Sequence, residues 1–502
     1  MKIKKTSEYI VYAADNLAAL KRIRSDFVDA VVTDPPYGLS SEPDIAKMLA
    51  GWTTDGYYTH SSTRGFMGKE WDAFVPQPVL WKEVFRVLKP GGHAVVFFGT
   101  RTYDIGVLAL RMAGFEIRDS LSWIYGQGMP KNLDVSKAIT AKETVGNCHS
   151  SSLRKARMRD DYRPTGQKDW KKGHAFNTPT NYADGNTLTE LTHNAKAWQG
   201  WGTSLKPAQE LIVLVRKPFD GTVAANVLKR GTGAINIDAC RVSYASDADM
   251  QEGINKQPTS GGFRRDPNKV GVYGEGKGVP YSVESKGRWP SNVILTHHAE
   301  CRHIGSTKIK AQVVQVRKTR TNGVLAFGYK QDLGHPGFGD ASGYETQEKW
   351  VCHEDCPIRI LDEQSGDRSS SRIGNVNNPK RGGSTQVAWG LSDGRETNDY
   401  RDSGSASRFF YCSKASKTER QVGLGKTQNE HPTVKPVDLM RYLVKLITPV
   451  KGVVLDPFMG SGTTGVAAMK EKRKFIGMEQ TEESARVALK RIRHAIPPKG
   501  LF

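Results

Sequence analysis

Two short stretches of this 502-residue chain combine an acid, stiff backbone or glycine in ways that suit the handling of a polar ligand. The first is Asp34-Pro35-Pro36-Tyr37. Two prolines fix their own φ angles and remove two backbone donors, so the loop is stiff and offers carbonyl oxygens without competing N–H groups. An acidic acceptor, rigid carbonyls and an aromatic face together suit a planar group that carries an amine. A Pro-Pro turn with a packing tyrosine is the plainer alternative. The second stretch is Asp456-Pro-Phe-Met-Gly-Ser-Gly-Thr-Thr464. Gly460 and Gly462 allow close backbone approach where a helix starts, as in mononucleotide-binding turns. A phosphate-cradling P-loop would carry a lysine after the glycines, and none follows.

Such stretches need a scaffold, and both ends of the chain read as alternating strands and helices. Residues 9–13 read as a buried strand, 17–23 as helical, 28–33 as a second strand and 80–88 as a helix with apolar residues at helical spacing. Lys89-Pro-Gly-Gly92 is expected to stop that helix and lead into an apolar strand over 94–98. Further strands are expected over 114–124 and 211–215. Near the C-terminal end, Asp438 can cap a helix with Leu439, Met440, Leu443, Val444 and Ile447 on one face. Strands over 452–456 and 474–479 then flank a helix over 465–472. Strands separated by helices imply a mainly parallel sheet covered on both faces. In open sheets of that kind, ligands bind beyond the carboxyl ends of the strands. Asp15, Asp34, Asp456 and Glu479 all follow or end strands. Any one of them alone is as readily a helix cap; four together are harder to read that way.

The middle of the chain differs. Residues 141–200 are polar and basic, and 250–290 and 365–408 are rich in Gly, Ser, Asn and Arg, which marks loops or an inserted module. No internal repeat stands out. Lys and Arg (73) exceed Asp and Glu (52) by 21, an excess that favours a polyanionic partner such as nucleic acid. No apolar run approaches the roughly 18 residues that span a bilayer. The first residues lack the apolar stretch of a secretory signal, so a cytoplasmic protein without a membrane partner is expected. Six cysteines are too sparse for a disulfide framework. His298 and Cys301, with Cys352 and Cys356, offer two pairs of soft ligands that could hold zinc, although unrelated reduced cysteines read equally simply.

Asp34-Pro-Pro-Tyr37 taken with Asp456-Pro-Phe-Met-Gly-Ser-Gly-Thr-Thr464 resembles the amino-methyltransferases that modify DNA. The motif order, with a long insertion between, is similar to the circularly permuted β class. His431-Pro-Thr-Val-Lys-Pro436 matches a further family motif, and Ile124–Asn132, Gly202–Pro207, Gly231–Asp238 and Tyr411–Ser416 are similar to phage and prophage members. The resemblance covers roughly residues 8–245 and 405–495. It implies an α/β fold: a Rossmann-like, S-adenosylmethionine-dependent methyltransferase sheet, circularly permuted, with a large inserted target-recognition region. Residues 1–140, 200–245 and 409–502 would form the catalytic domain, 141–199 a basic insertion and 246–408 the recognition region. Asp34, Pro35, Pro36 and Tyr37 would be catalytic. S-adenosylmethionine would be held by Glu479 on its ribose hydroxyls and by Asp15 on its adenine amine. Asp456, Phe458, Gly460, Gly462 and Thr463 would line its path, and Lys435 would neutralise its carboxylate. Double-stranded DNA is the implied partner, a homodimer is left open, and N6 of adenine is the implied target, with N4 of cytosine as the alternative.

Overall fold

The computed structural model describes residues 2–62, 65, 70–126, 132–145, 191–242, 287–298, 300–310, 344–365, 406–413, 419–425, 427–431 and 433–496. The basic clusters at 154–159 and 168–172 lie outside them, as do the Gly- and Ser-rich stretches 250–290 and 365–408 except at their ends. The chain divides into two compact units, Met1–Gly126 with Gln209–Phe502, and Gln127–Ala208.

The larger unit is built on a ten-stranded sheet. Its strands are β1 (Lys2–Lys5), β2 (Tyr9–Ala13), β3 (Val28–Thr33), β4 (Leu88–Phe98), β5 (Glu116–Tyr125), β6 (Gln209–Arg216), β7 (Val293–Thr296), β10 (Tyr411–Ser413), β11 (Val453–Asp456) and β12 (Lys474–Glu479). Two more strands, β8 (Arg302–Lys310) and β9 (Tyr344–Val351), form a separate antiparallel pair. The order across the main sheet is β1-β2-β12-β11-β3-β4-β6-β5-β7-β10. Only β1 and β6 run against their neighbours.

Alternation along the central strands explains the layers. Ala30, Val32, Val95 and Phe97 face one apolar cluster with the helices Val437–Ile447, Thr463–Lys470 and Glu482–His494. Val28, Val31, Ala94, Val96 and Phe98 face the other, with the helices Asn16–Leu20, Ile45–Thr54, Pro78–Val87 and Tyr103–Met112. Strands buried on both faces carry near-continuous apolar runs, as Ala30-Val-Val32 in β3 and Ala94-Val-Val-Phe-Phe98 in β4 do. The result is an α/β, Rossmann-like sheet covered by helices on both faces.

Several local expectations change. Lys89-Pro-Gly-Gly92 does not separate helix from strand; it is a bulge within β4, where pairing jumps from Val28↔Leu88 to Ala30↔His93. Asp438 is not the cap of its helix; Pro436 takes that place and Asp438 sits in the first turn, 3.3 Å from Arg441. β7 comes from inside the segment 246–408, yet it extends the main sheet beside β5.

The smaller unit carries the helix Val135–Val145 and the short helix His193–Lys196. Asn132 and Gly202-Thr-Ser204 meet there: the Asn132 Oδ1 accepts from the N–H groups of Thr203 (2.6 Å) and Ser204 (3.2 Å). A side chain at Gly202 would collide with that amide.

Candidate active site

Four neighbouring parallel strands, β2, β12, β11 and β3, end at one edge of the sheet and bring Asp15, Glu479, Asp456 and Asp34 to it. Beyond β3 the Asp34-Pro-Pro-Tyr37 loop is pinned from both sides. The buried Asp72 carboxylate accepts from the backbone N–H groups of Tyr37 (2.8 Å) and Gly38 (3.1 Å), and the Thr102 hydroxyl donates to the Tyr37 carbonyl (2.6 Å). Gly38 has a φ of 65°, and a Cβ there would stand 2.8 Å from the Val75 nitrogen, so the loop fits only glycine at that point.

Asp34 is held by a buried cation. Lys435 Nζ lies 2.6 Å from Asp34 Oδ2 and 3.3 Å from Glu210 Oε2, with its side chain 9% exposed. The ammonium also lies over the rings of Phe97 (5.1 Å) and Tyr37 (5.3 Å). Burial works against its charge, but Asp34 and Glu210 outweigh that and hold its pKa above the ordinary lysine value. The Tyr37 hydroxyl donates to Glu210. Burial, reinforced by Asp34 and Glu210, keeps that phenol protonated far above its usual range. Glu210 reaches this edge because β6 runs antiparallel, so its first residues lie beside Trp123 and Phe98 at the ends of β5 and β4.

One buried carboxylate oxygen is left over. Asp34 Oδ1 is buried and has no hydrogen-bond partner among the described residues. A buried acceptor without a donor costs about 1–3 kcal/mol. Chemically, it can accept a hydrogen bond from a donor that the described residues do not supply.

The Asp456 loop lies on the next strand. Asp456 Oδ1 accepts from the Thr33 hydroxyl (2.6 Å) and the Phe458 N–H (3.0 Å), and Oδ2 accepts from the Thr464 hydroxyl (2.6 Å). Burial raises its pKa to about 6 against these bonds. Asp456 therefore braces the loop from inside, and the Thr463 hydroxyl is likewise turned inward, 3.2 Å from Arg491 Nη1. Gly460 (φ 52°) and Gly462 (φ 82°) hold the turn open: Cβ atoms would come within 2.9 Å of His431 Nε2 and 2.8 Å of the Ala488 Cβ. Glu479 faces the turn, accepting from the Gly460 N–H at 3.1 Å through one oxygen and from Thr481 through the other. Asp15 is exposed and caps the helix Asn16–Leu20, with Oδ1 accepting from the Ala18 N–H at 2.9 Å.

The structure thus brings Asp34, Pro35, Pro36, Tyr37, Lys435, Phe458, Gly460, Gly462 and Glu479 to one edge, with two changes of position. Lys435, expected on the cofactor's carboxylate, has its ammonium on Asp34 and Glu210. Asp456 and Thr463, expected to line the cofactor path, are engaged inside the loop. Three participants were not anticipated: Glu210, Asp72 and His431. His431 stacks on Trp71 (21° between planes), abuts Gly460 and has a buried Nδ1 with no hydrogen-bond partner among the described residues. Burial lowers its pKa below the ordinary histidine value, against the pull of Glu479 and Asp34. Its place at the head of His431-Pro-Thr-Val-Lys-Pro436 was the one signal that could have found it. The metal candidates change by one residue: the three cysteines converge on His297, not on His298.

Comparisons with known proteins agree with this picture. A family model described as a DNA methylase matches residues 28–490. A type II methyltransferase of Moraxella bovis, M2.MboI, is 44% identical over 73 residues, 14% of this chain and 26% of that protein. The DNA adenine methyltransferase YhdJ of Escherichia coli K12 is 42% identical over 62 residues, 12% of this chain and 21% of that one. The chain thus spans about a quarter of the length of these curated relatives. The solved cytosine-N4-specific PvuII DNA methyltransferase is 12% identical, covers 97% of this chain and 87% of its own, and has a TM-score of 0.35. With the family match reaching from β3 to the last helix, the chain belongs to the DNA methylase family of N6 and N4 amino-methyltransferases.

Proposed function

We propose that this protein methylates an exocyclic amino group of a base in double-stranded DNA, N6 of adenine in particular, using S-adenosylmethionine. The observation that carries this reading is the unpartnered Asp34 Oδ1 in a rigid loop, within a chain of the DNA methylase family.

The cradle fits the cofactor. Gly460 and Gly462 let a turn without side chains pack against His431 and Ala488, with the Gly460 N–H against the carboxylate of Glu479. Glu479 would hold the ribose hydroxyls, and Phe458 and the glycine turn would flank the adenosine. Asp15 would meet the adenine amine with the oxygen not capping its helix. The bound cofactor supplies a methyl group already activated on a sulfonium, so the chain's task is mainly alignment, which can amount to effective molarities on the order of 10⁵ M or more.

An aromatic amine is a poor nucleophile because its lone pair is delocalised into the ring. Asp34 Oδ1 and the Pro35 carbonyl would each accept one of its N–H bonds, drawing the nitrogen toward a pyramidal form with its lone pair free. Lys435 holds the other Asp34 oxygen and fixes the rotation of the carboxylate. The base must leave the duplex to reach this edge, at a cost of a few kcal/mol. Stacking on Tyr37, whose hydroxyl is anchored on Glu210, would return roughly 1–3 kcal/mol.

Adenine is preferred over cytosine for two reasons. Asp at the head of the Pro-Pro-Tyr motif resembles the adenine enzymes, and a purine gives Tyr37 the larger stacking face. Incubating DNA with the protein and labelled cofactor, then digesting to nucleosides for mass spectrometry, tests the reading. N6-methyladenine is expected. N4-methylcytosine as the only product overturns the base assignment, and no methylated nucleoside from any DNA overturns the activity.

A further inference from the structure

Outside the catalytic edge, one cluster of side chains is built for a ligand that nothing so far assigns. We propose that His297, Cys301, Cys352 and Cys356 bind a single structural zinc ion. One ligand atom from each lies within 4.8 Å of the others, and His297, Cys301 and Cys356 are buried. His297 Nδ1 stands 3.5 Å from Cys352 Sγ and 3.7 Å from Cys356 Sγ. A tetrahedral zinc bound at about 2.3 Å by sulfur and about 2.0 Å by nitrogen sets N···S separations near 3.5 Å. Three sulfurs and one imidazole, with no carboxylate among them, are a donor set of structural zinc sites.

The turns that carry these ligands are near copies. His297-His-Ala-Glu-Cys301 and Cys352-His-Glu-Asp-Cys356 share the order ligand, His, any residue, acid, Cys. In each, the closing cysteine N–H donates to the carbonyl of the second residue, Cys301 to His298 (2.9 Å) and Cys356 to His353 (3.0 Å). In each, the acid's N–H donates to the Nδ1 of that second residue, Glu300 to His298 (3.3 Å) and Asp355 to His353 (3.1 Å). The rings of His298 and His353 stack on one another, 4.2 Å apart with 20° between planes. The His353 backbone N–H also points at Cys301 Sγ (3.3 Å), a further tie between the two turns. Each turn thus delivers its first and last residues to one point and uses its histidine at position two to pair the turns. His298 is a pairing residue for that reason.

The position explains what an ion would do. Cys301 precedes β8 and Cys352 follows β9, so both feet of that hairpin end in the cluster, while His297 directly follows β7 of the main sheet. At their feet these strands expose Arg302, His303, Ile304, Lys349 and Val351. A lone two-stranded hairpin of that kind is marginal in water. An ion shared by β7 and the hairpin would fasten the hairpin to the sheet, in the way metal binding commonly supplies folding energy.

The test uses the full chain. It is stripped with a chelator under reducing conditions and titrated with zinc(II) or cobalt(II) against a competing chromophoric chelator. One equivalent of zinc bound tightly, and the intense bands of a tetrahedral cobalt thiolate, are expected. An octahedral cobalt spectrum, no tight zinc, or iron with iron–sulfur absorption in its place overturns the site. Cys356→Ser and His297→Ala should weaken zinc by more than the roughly 10–100-fold that loss of an outer partner costs. His298→Ala should stay within that range, and Cys412→Ser, on β10 and outside the four-residue cluster, should bind as the parent does. Tight binding retained by Cys356→Ser, or a stronger loss at His298 than at His297, overturns the ligand assignment. The cobalt spectrum of the parent protein decides the matter even where a variant fails to fold.

Discussion

Thr33 and Asp456 stand 423 positions apart and share a 2.6 Å hydrogen bond between the ends of β3 and β11. That bond ties the residue before Asp34 to the first residue of the glycine turn, and so extends the pairing of β3 with β11 into the two halves of the site. Thr33→Val leaves Asp456 Oδ1 with the Phe458 N–H alone, and is expected to cost about 1–3 kcal/mol of stability. Urea unfolding of the two proteins checks it, and equal midpoints would sink the idea.

Asp456 also predicts a pH dependence. Burial raises its carboxyl to about 6, above the value of 3.8 expected for the unfolded chain. Between those values the folded protein holds a proton that the unfolded chain has released. The contribution of this group is therefore full below about pH 4, falls as pH rises toward 6 and stays lost above it, at most about 3 kcal/mol in all. Asp456→Asn should flatten the stability profile over that window, seen as a difference between the two unfolding curves. Parallel curves across pH 4–6 would contradict the assignment.

Lys435 is the only cation placed between Asp34 and Glu210 among the described residues. Replacing it with methionine leaves two buried carboxylates facing one another, and breaking a buried pair by removing one partner costs about 3–5 kcal/mol. One carboxyl must then take up a proton, so its pKa rises. The deficit against the parent should be greatest near neutrality and shrink as pH falls and both acids become protonated. A deficit that grows on acidification would show that Lys435 does not carry the charge balance here.

Much of the catalytic edge could be read from the chain because apolar runs such as Val453-Val-Leu and Phe475-Ile-Gly-Met end directly on an acid. Glu210 could not. Nothing in Gln209–Arg216 reveals that β6 runs backwards, and only that direction turns the first residues of a strand toward the site. Lys435 was visible as part of a motif, but its partner is 401 positions away and a contact at that separation leaves no local trace. His297 and His298 are adjacent, and at the end of a strand a shift of one residue exchanges the faces. β7, four residues long, is too short for its period to stand out from a polar stretch.

The recognition of DNA makes a separate prediction. The arginine and lysine clusters between residues 141 and 410 are proposed to carry the phosphate contacts. Each phosphate neutralised adds about −0.9 to the slope of log affinity against log salt. Binding should therefore fall steeply between about 50 and 200 mM salt, by roughly 10³-fold if six contacts form. An affinity that hardly moves across that range, or that survives removal of these clusters, would place the DNA elsewhere.

Asp34 offers the sharpest test because its two oxygens have different tasks. Oδ2 faces the Lys435 ammonium at 2.6 Å, and Oδ1 is the free acceptor. Asp34→Ala removes both, and losing a charged acceptor in the transition state is expected to cost about 1.5–3 kcal/mol, or roughly 10- to 150-fold in rate. Asp34→Asn keeps the shape but should do no better. Lys435 requires an acceptor, so the amide oxygen turns toward it and the amide NH₂ is left facing the incoming amine, donor against donor. Both variants should bind the cofactor within a few-fold of the parent, since Glu479 and the glycine turn are untouched. Single-turnover methylation with parallel cofactor binding decides the point. An asparagine variant that keeps more than about a tenth of parental activity would mean that Oδ1 does not accept the substrate amine.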